Sequence, residues 1–318
     1  MAHGTGYIYV YFHGRNIKVC DRCYIAIATH EILVRAVHIL FINAGTITQE
    51  ETLLEAQKLG FRYIEFTDLT PCENYSYEDQ VESAKRIRKN ADALGIKVNA
   101  YTIGANLYQE TEEARENEVE RIKKQLDIAK IQGAPVLRQD ACWQLGKTGN
   151  SRSFDLMLPM IAKSAREITE YAQTLGIRTC TENHGYIAQD SDRMERLFNA
   201  VAHDNYGLLV DMGNFVCADE PSAHGVSKLA SYAVHVHAKD MRVLPSDSGA
   251  QGGMTRGGNI FQGTVIGEGQ VPIRQCLRIL KQAGYDGIVS IEYEAGGDCL
   301  NGIKRGKENL ERYMKELS

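Results

Sequence analysis

The strongest constraint on this chain is one repeated local pattern: an amphipathic helical segment, a glycine, then an apolar run short enough for a strand. The pattern occurs at Leu59-Gly60 before residues 61–66, at Leu94-Gly95 before 96–101 and at Gln132-Gly133 before 134–137. It recurs at Leu175-Gly176 before 177–181 and at Ala283-Gly284 before 287–291. Glycine just past a last helical turn accepts the left-handed conformation that closes the helix. The preceding segments carry helical spacing. Val119, Ile122, Leu126 and Ala129 share one face, as do Ile161, Ala165, Ile168, Ala172 and Leu175, and later Ile273, Leu277 and Leu280. Strands alternating with helices of this length predict parallel βαβ units.

Strand-like runs fall near 37–42, 61–66, 96–101, 134–138, 177–182, 207–211, 232–237 and 287–292. Eight is the number that closes a (β/α)8 TIM barrel, so the expected class is α/β. An open doubly wound sheet is the competing architecture, but no glycine-rich phosphate or dinucleotide motif follows any run. The reading is one barrel over 37–318, preceded by an irregular extension over 1–36. The Gly-, Ser- and Asp-rich stretch 243–270 reads as a lid or binding loop, or as a disordered insert.

Composition narrows the partners. With 43% apolar and 24% charged residues, the chain has the profile of a soluble globular protein. A net charge of −5 argues against a nucleic-acid surface. No apolar run reaches the roughly 18 residues that would span a bilayer, and the N-terminus lacks the basic, apolar, small-residue order of a signal peptide. A cytoplasmic protein without membrane or nucleic-acid partners is expected. Of eight cysteines only Cys20 and Cys23 form a C-x-x-C pair. With no second pair nearby, free thiols are expected there, not zinc.

Chemistry gathers at the ends of the last four strands, in TEN (181–183), VDMGN (210–214), HVHAKD (235–240) and SIEYE (290–294). Side chains alternate across a strand, which makes Glu182, Asp211, His237 and Glu292 the last inward residues of strands five to eight. Alone, each would more often be a rim or core residue. Together, at equivalent positions of successive strands, they predict a site for one divalent metal ion. Three carboxylates and an imidazole suit Mn²⁺, Co²⁺, Mg²⁺ or Zn²⁺, and the cation relieves the repulsion among the acids. His235 competes with His237 for the ligand role. His237 is preferred because it lies nearer the strand end, with Asp240 placed to orient its imidazole. His184, Asn214, Lys239, Arg242 and Trp143 are candidate substrate contacts near strand ends, each with a structural or solvent-facing role as the alternative.

These pieces resemble the sugar phosphate isomerase/epimerase superfamily with a xylose-isomerase-like TIM barrel. The resemblance rests on AQKLGFRYIEF (56–66), TENHG (181–185), VDMGN (210–214), HAKD (237–240) and GEGQVPIRQCLRILKQAGYDGIVSIEYE (267–294). It implies that Glu182, Asp211, His237 and Glu292 hold one divalent metal, and that Glu182 and Glu292 also serve as the acid/base pair. It implies a small carbohydrate substrate, and homo-oligomers are common in the group. A metal-assisted isomerase or epimerase acting through an enediolate is therefore expected. Ketose 3-epimerases carry Glu, His and Arg where this chain has Ala188, Asn214 and Val243, which argues against a free-ketohexose 3-epimerase. The rival within the enzymes is a dehydratase of an inosose- or dehydroshikimate-like keto-polyol, which shares the first step. A more distant rival is an endonuclease IV-like nuclease, which needs further histidines. A non-catalytic sugar-binding barrel is the reading from another class.

Overall fold

A computed structural model describes residues 48–67 and 76–317, together with the backbone of Arg35–Leu40. The C-x-x-C pair, and all but the last two residues of the extension expected over 1–36, lie outside the described residues. The barrel strands are β1 (Arg35–Leu40), β2 (Tyr63–Thr67), β3 (Lys97–Ile103), β4 (Val136–Gln139), β5 (Arg178–Glu182), β6 (Tyr206–Asp211), β7 (Ala233–Ala238) and β11 (Ile288–Tyr293). Each begins and ends within two residues of its expected run. They form one eight-stranded sheet in the order β1-β11-β7-β6-β5-β4-β3-β2, and every pairing is parallel. The sheet curls on itself, so that Glu65 of β2 meets His235 of β7 and Ser290 of β11 in its interior.

Local chemistry sets the helices around it: α1 (Gln49–Lys58), α2 (Tyr77–Ala93), α3 (Glu112–Gln132), α4 (Phe154–Leu175), α5 (Ser191–Val201), α6 (Asn214–Cys217), α7 (Ser222–Leu229), α8 (Ile273–Gln282) and α9 (Cys299–Leu317). Thr48 with Glu51, and Ser76 with Asp79, form reciprocal capping boxes that satisfy otherwise orphaned N–H groups of α1 and α2. Gly133 and Gly176 close α3 and α4 with φ of 81° and 70°, the left-handed backbone expected of them. The helical faces read from the sequence are the faces buried. Val119, Ile122, Leu126 and Ala129 of α3, and Ile161, Ala165, Ile168 and Ala172 of α4, pack against the outside of the sheet. Among the described residues, no helix is long and apolar enough to cross a membrane.

The stretch 243–270 departs from expectation. Neither an open lid nor a disordered insert, it joins β8 (Asp240–Leu244), β9 (Gly253–Met254) and β10 (Ile260–Thr264) into an antiparallel sheet ordered β8-β10-β9. This small sheet is anchored to three barrel loops. Arg256 donates to the carbonyls of Tyr186 and Ile187 and pairs with Asp190 at 2.6 Å. The Gly257 N–H donates to Asp219. Gly263 packs so closely on the Glu294 backbone that a Cβ there would lie 2.6 Å from its carbonyl carbon.

Asp240 ties the start of β8 to the loop that leads into α8. Its carboxylate accepts from the backbone N–H groups of Met241 (2.8 Å), Gly267 (2.8 Å), Gly269 (3.0 Å) and Val271 (3.0 Å). It is therefore a loop organiser and not the partner of His237 that its position suggested. Asp240→Ala strands several donors that have little access to water, and should cost about 3 kcal/mol. Urea unfolding measures this directly, and a loss below about 1 kcal/mol would mean that water replaces the carboxylate.

Candidate metal centre

The parallel register delivers the four predicted residues to one place. Glu182 and Asp211 end β5 and β6, and His237 and Glu292 are the penultimate residues of β7 and β11. His237 lies opposite Asp211 on one side and Ser290 on the other. All four side chains are buried, and one potential ligand atom from each lies within 4.8 Å of the others. His237 Nδ1 is 3.0 Å from Glu292 Oε2, 3.8 Å from Glu182 Oε1 and 3.8 Å from Asp211 Oδ2.

Each acid is held from behind. Glu182 Oε1 accepts from Asn214 Nδ2 at 2.9 Å, and Oε2 accepts from the Arg138 guanidinium. Arg138 also pairs with Asp140 at 2.9 Å. Asp211 Oδ1 accepts from the N–H groups of Gly213 (2.7 Å) and Asn214 (2.8 Å), where α6 begins. The Asn183 amide brackets the Asp211 backbone, accepting from its N–H at 2.8 Å and donating to its carbonyl at 3.0 Å. These contacts turn Asp211 Oδ2 into the cluster, where it is buried without a hydrogen-bond partner. Gly213 is required for this packing, because a Cβ there would sit 2.8 Å from Lys239 Cβ. The buried Lys239 ammonium lies 2.8 Å from Glu292 Oε1 and donates to Asn214 Oδ1 at 3.1 Å and to Glu294 Oε1 at 3.3 Å.

The charges confirm how crowded this space is. Burial, followed by the nearby Glu292 and Glu182, pushes the Asp211 carboxyl well above the usual range against the pull of Lys239. Burial also opposes charge on Glu292, but Lys239 and His237 hold it well below. His237 and Lys239, which burial would neutralise, are kept protonated by the surrounding acids, Glu65 foremost for the imidazole and Asp211 for the ammonium. Asp140, Glu182, Asp211, Glu292 and Glu294 thus share the mouth with Arg138, Lys239 and the His237 imidazole, and Glu65 lies one layer below. A buried carboxylate oxygen without a hydrogen bond, 3.6 Å from the Lys239 ammonium, a gathering of acids and a donor set of three oxygens and one nitrogen fit a hard or borderline divalent cation.

The other predicted residues divide. Asn214 and Lys239 enter the cluster. His184 borders it, with Nδ1 2.8 Å from Asp140 Oδ1 and its ring edge-on to Trp143 at a centroid distance of 5.5 Å. Trp143 is 36% exposed at the rim. Arg242 is exposed on β8 and, among the described residues, shares no hydrogen bond with the cluster. His235 lies one layer deeper, on Glu65. Sequence reasoning missed Glu65, Asn183, Asp140 and Glu294; for Arg138, near the end of its strand, the sequence leaves a sugar contact and a structural role both open, and the residue braces Glu182. Glu65 left a signal as the lone acid within the apolar run 61–66, and Asn183 and Glu294 stand inside the TEN and SIEYE runs.

The chain belongs to the xylose isomerase-like TIM barrel family, whose sequence model matches residues 53–317. An inosose dehydratase from Yersinia enterocolitica is 26% identical over 164 residues, 50% of this chain and 54% of the dehydratase. The chain thus spans about half the length of this curated relative. Among solved structures, a xylose isomerase-like TIM barrel protein from Mycobacterium smegmatis in complex with magnesium has a TM-score of 0.63 at 20% identity, covering 85% of this chain and 89% of that one. D-psicose 3-epimerase from Clostridium cellulolyticum H10, solved with D-tagatose, has a TM-score of 0.62 at 17% identity, covering 86% of this chain and 93% of the epimerase.

Metal analysis tests the centre. Purified protein should carry or take up about one equivalent of Mn²⁺, Co²⁺, Mg²⁺ or Zn²⁺, and the Asp211→Ala, His237→Ala double variant should carry none. Equal metal in both proteins would place the ion elsewhere.

Proposed function

We propose that this protein is a divalent-cation-dependent enzyme that moves a proton next to the carbonyl of a keto-sugar or keto-polyol, giving an isomer or epimer. The observation that carries the reading is the approach of two glutamates to one buried centre from separate parts of the ring. Glu182 stands on β5 and Glu292 on β11, with β6 and β7 between them in the sheet. One carboxylate removes the proton from the carbon beside the carbonyl, the electron pair moves onto the carbonyl oxygen, and the other carboxyl group returns a proton. A cation held by Glu182, Asp211, His237 and Glu292 would supply the Lewis acid that stabilises the negative charge on that oxygen.

The remaining residues have separable parts in this scheme. Arg138 and Asn214 fix the orientation of Glu182, so that its reach to a bound sugar is set before the substrate arrives. Lys239 offsets charge on Glu292 and Glu294. His184, backed by Asp140, and the exposed face of Trp143 border the mouth, where they would meet hydroxyls and the apolar face of a ring. Arg242, exposed on β8, is a candidate contact for the distal end of a longer substrate.

A second reading is favoured by the inosose dehydratase relative. The first proton abstraction is the same, but the electrons then expel a β-hydroxyl as water. In either case Glu182→Gln or Glu292→Gln should lower kcat by roughly 10²–10⁴-fold while most cation binding remains. Screening ketoses and inososes with Mn²⁺ or Co²⁺ by mass spectrometry in D₂O separates the outcomes. Deuterium uptake at otherwise unchanged mass identifies isomerisation, and loss of one water identifies dehydration. Near-normal turnover in either variant would sink the acid/base assignment.

A further inference from the structure

Below the centre, one layer further into the barrel, Glu65 is fully buried on β2. The ladder between β2 and β3 shifts register between Ile64 and Glu65, an irregularity of the kind that re-aims a side chain. The carboxylate is nearly saturated with donors. Thr102 Oγ1 donates to Oε1 at 2.5 Å, and Ser290 Oγ donates to Oε2 at 3.2 Å. His235 Nε2 lies 2.8 Å from Oε2, and His237 Nε2 lies 3.4 Å from the same oxygen. Residues from β2, β3, β7 and β11 thus meet on one acid that no proton-transfer step above uses.

The two nitrogens of His237 look in different directions. Nδ1 faces Glu182, Asp211 and Glu292. Nε2 is buried and makes no hydrogen bond, with Glu65 Oε2 3.4 Å away, whereas Nδ1 shares one with Glu292 at 3.0 Å. A neutral imidazole binds a cation through whichever nitrogen lacks the proton, and the group opposite the other nitrogen decides which one that is. A carboxylate in that place also fixes the ring and raises its basicity.

We propose that Glu65 is a positioning residue that keeps a proton on His237 Nε2 and so presents the Nδ1 lone pair to the divalent cation. His235 and Ser290 hold Glu65 in place for that task. The inference rests on the cation reading above. Glu65, His235 and His237 are themselves close enough together to hold a second ion. That arrangement would strip both ring protons from His237 and displace the Ser290 hydroxyl from Glu65.

The test uses the full chain and Zn²⁺, which is diamagnetic, as the probe. Long-range ¹H–¹⁵N NMR of the wild type, with His237 identified by comparison with His237→Gln, should show Nε2 protonated and Nδ1 shifted by the metal. The opposite tautomer overturns the proposal without any need for a Glu65 variant to fold. Calorimetric titration should then show Zn²⁺ affinity falling about 10–100-fold in Glu65→Gln, with its melting curve confirming a folded protein and Ser290→Ala giving a smaller loss. Unchanged affinity in a folded Glu65→Gln overturns this role alone and leaves the metal centre standing. Two equivalents bound by the wild type, one of them lost in Glu65→Gln, overturns it in favour of a second ion. A wild type that binds no cation removes the metal centre and this role together.

Discussion

Several carboxylates share one water-poor space at the mouth of this barrel, and their mutual repulsion has to be met by something. At an effective dielectric of about 20, two like charges 4 Å apart repel by about 4 kcal/mol, a large part of an ordinary protein's net stability. The chain answers with Lys239 between Glu292 and Glu294, Arg138 between Glu182 and Asp140, and His237 among the rest. Asp211, hydrogen-bonded through one oxygen and holding at the other only a 3.6 Å ion pair with Lys239, is where the compensation is incomplete. A divalent cation would complete it, so the imbalance among the acids and the fit of the site to a metal are the same feature.

The fold makes this imbalance tolerable by making it rigid. Parallel strands bring equivalent positions to one level, so four successive strand ends converge without any loop having to reach. Asp211 is held further by the first turn of α6 and by the Asn183 amide, both within hydrogen-bond range of its own strand end. Acids placed this way keep their geometry when a substrate arrives, which is the condition for an electrostatic site to act without reorganising.

Much of this was legible in the sequence because two periodicities write it there. Glycines after helical faces mark the strand starts, and an acid or histidine after an apolar run marks the strand ends. The choice of His237 over His235 could be made from its nearness to the strand end. The partner of His237 could not, since Asp240 is adjacent in sequence but turns to four backbone amides, while Glu65 lies far along the chain and approaches only when the sheet curls. The role of Arg138 stayed open for a similar reason: whether an inward arginine faces sugar or braces a neighbouring acid depends on the offset between β4 and β5. The segment 243–270 reads as a lid, a binding loop or a disordered insert because its strands are short and glycine-rich, and their anchoring to the barrel loops beneath them leaves no mark in the sequence.

The anchoring of that small sheet has a consequence for which substitutions it tolerates. Arg256 grips the main-chain carbonyls of Tyr186 and Ile187, not their side chains. Carbonyls are common to every residue type, so this grip does not depend on the identities at 186 and 187; what does is the Tyr186 hydroxyl, which donates to the Thr255 carbonyl at 3.3 Å, and Ile187, which is buried in the core. A change of side chain at 186 would therefore cost the cover one hydrogen bond while leaving the arginine clasp in place.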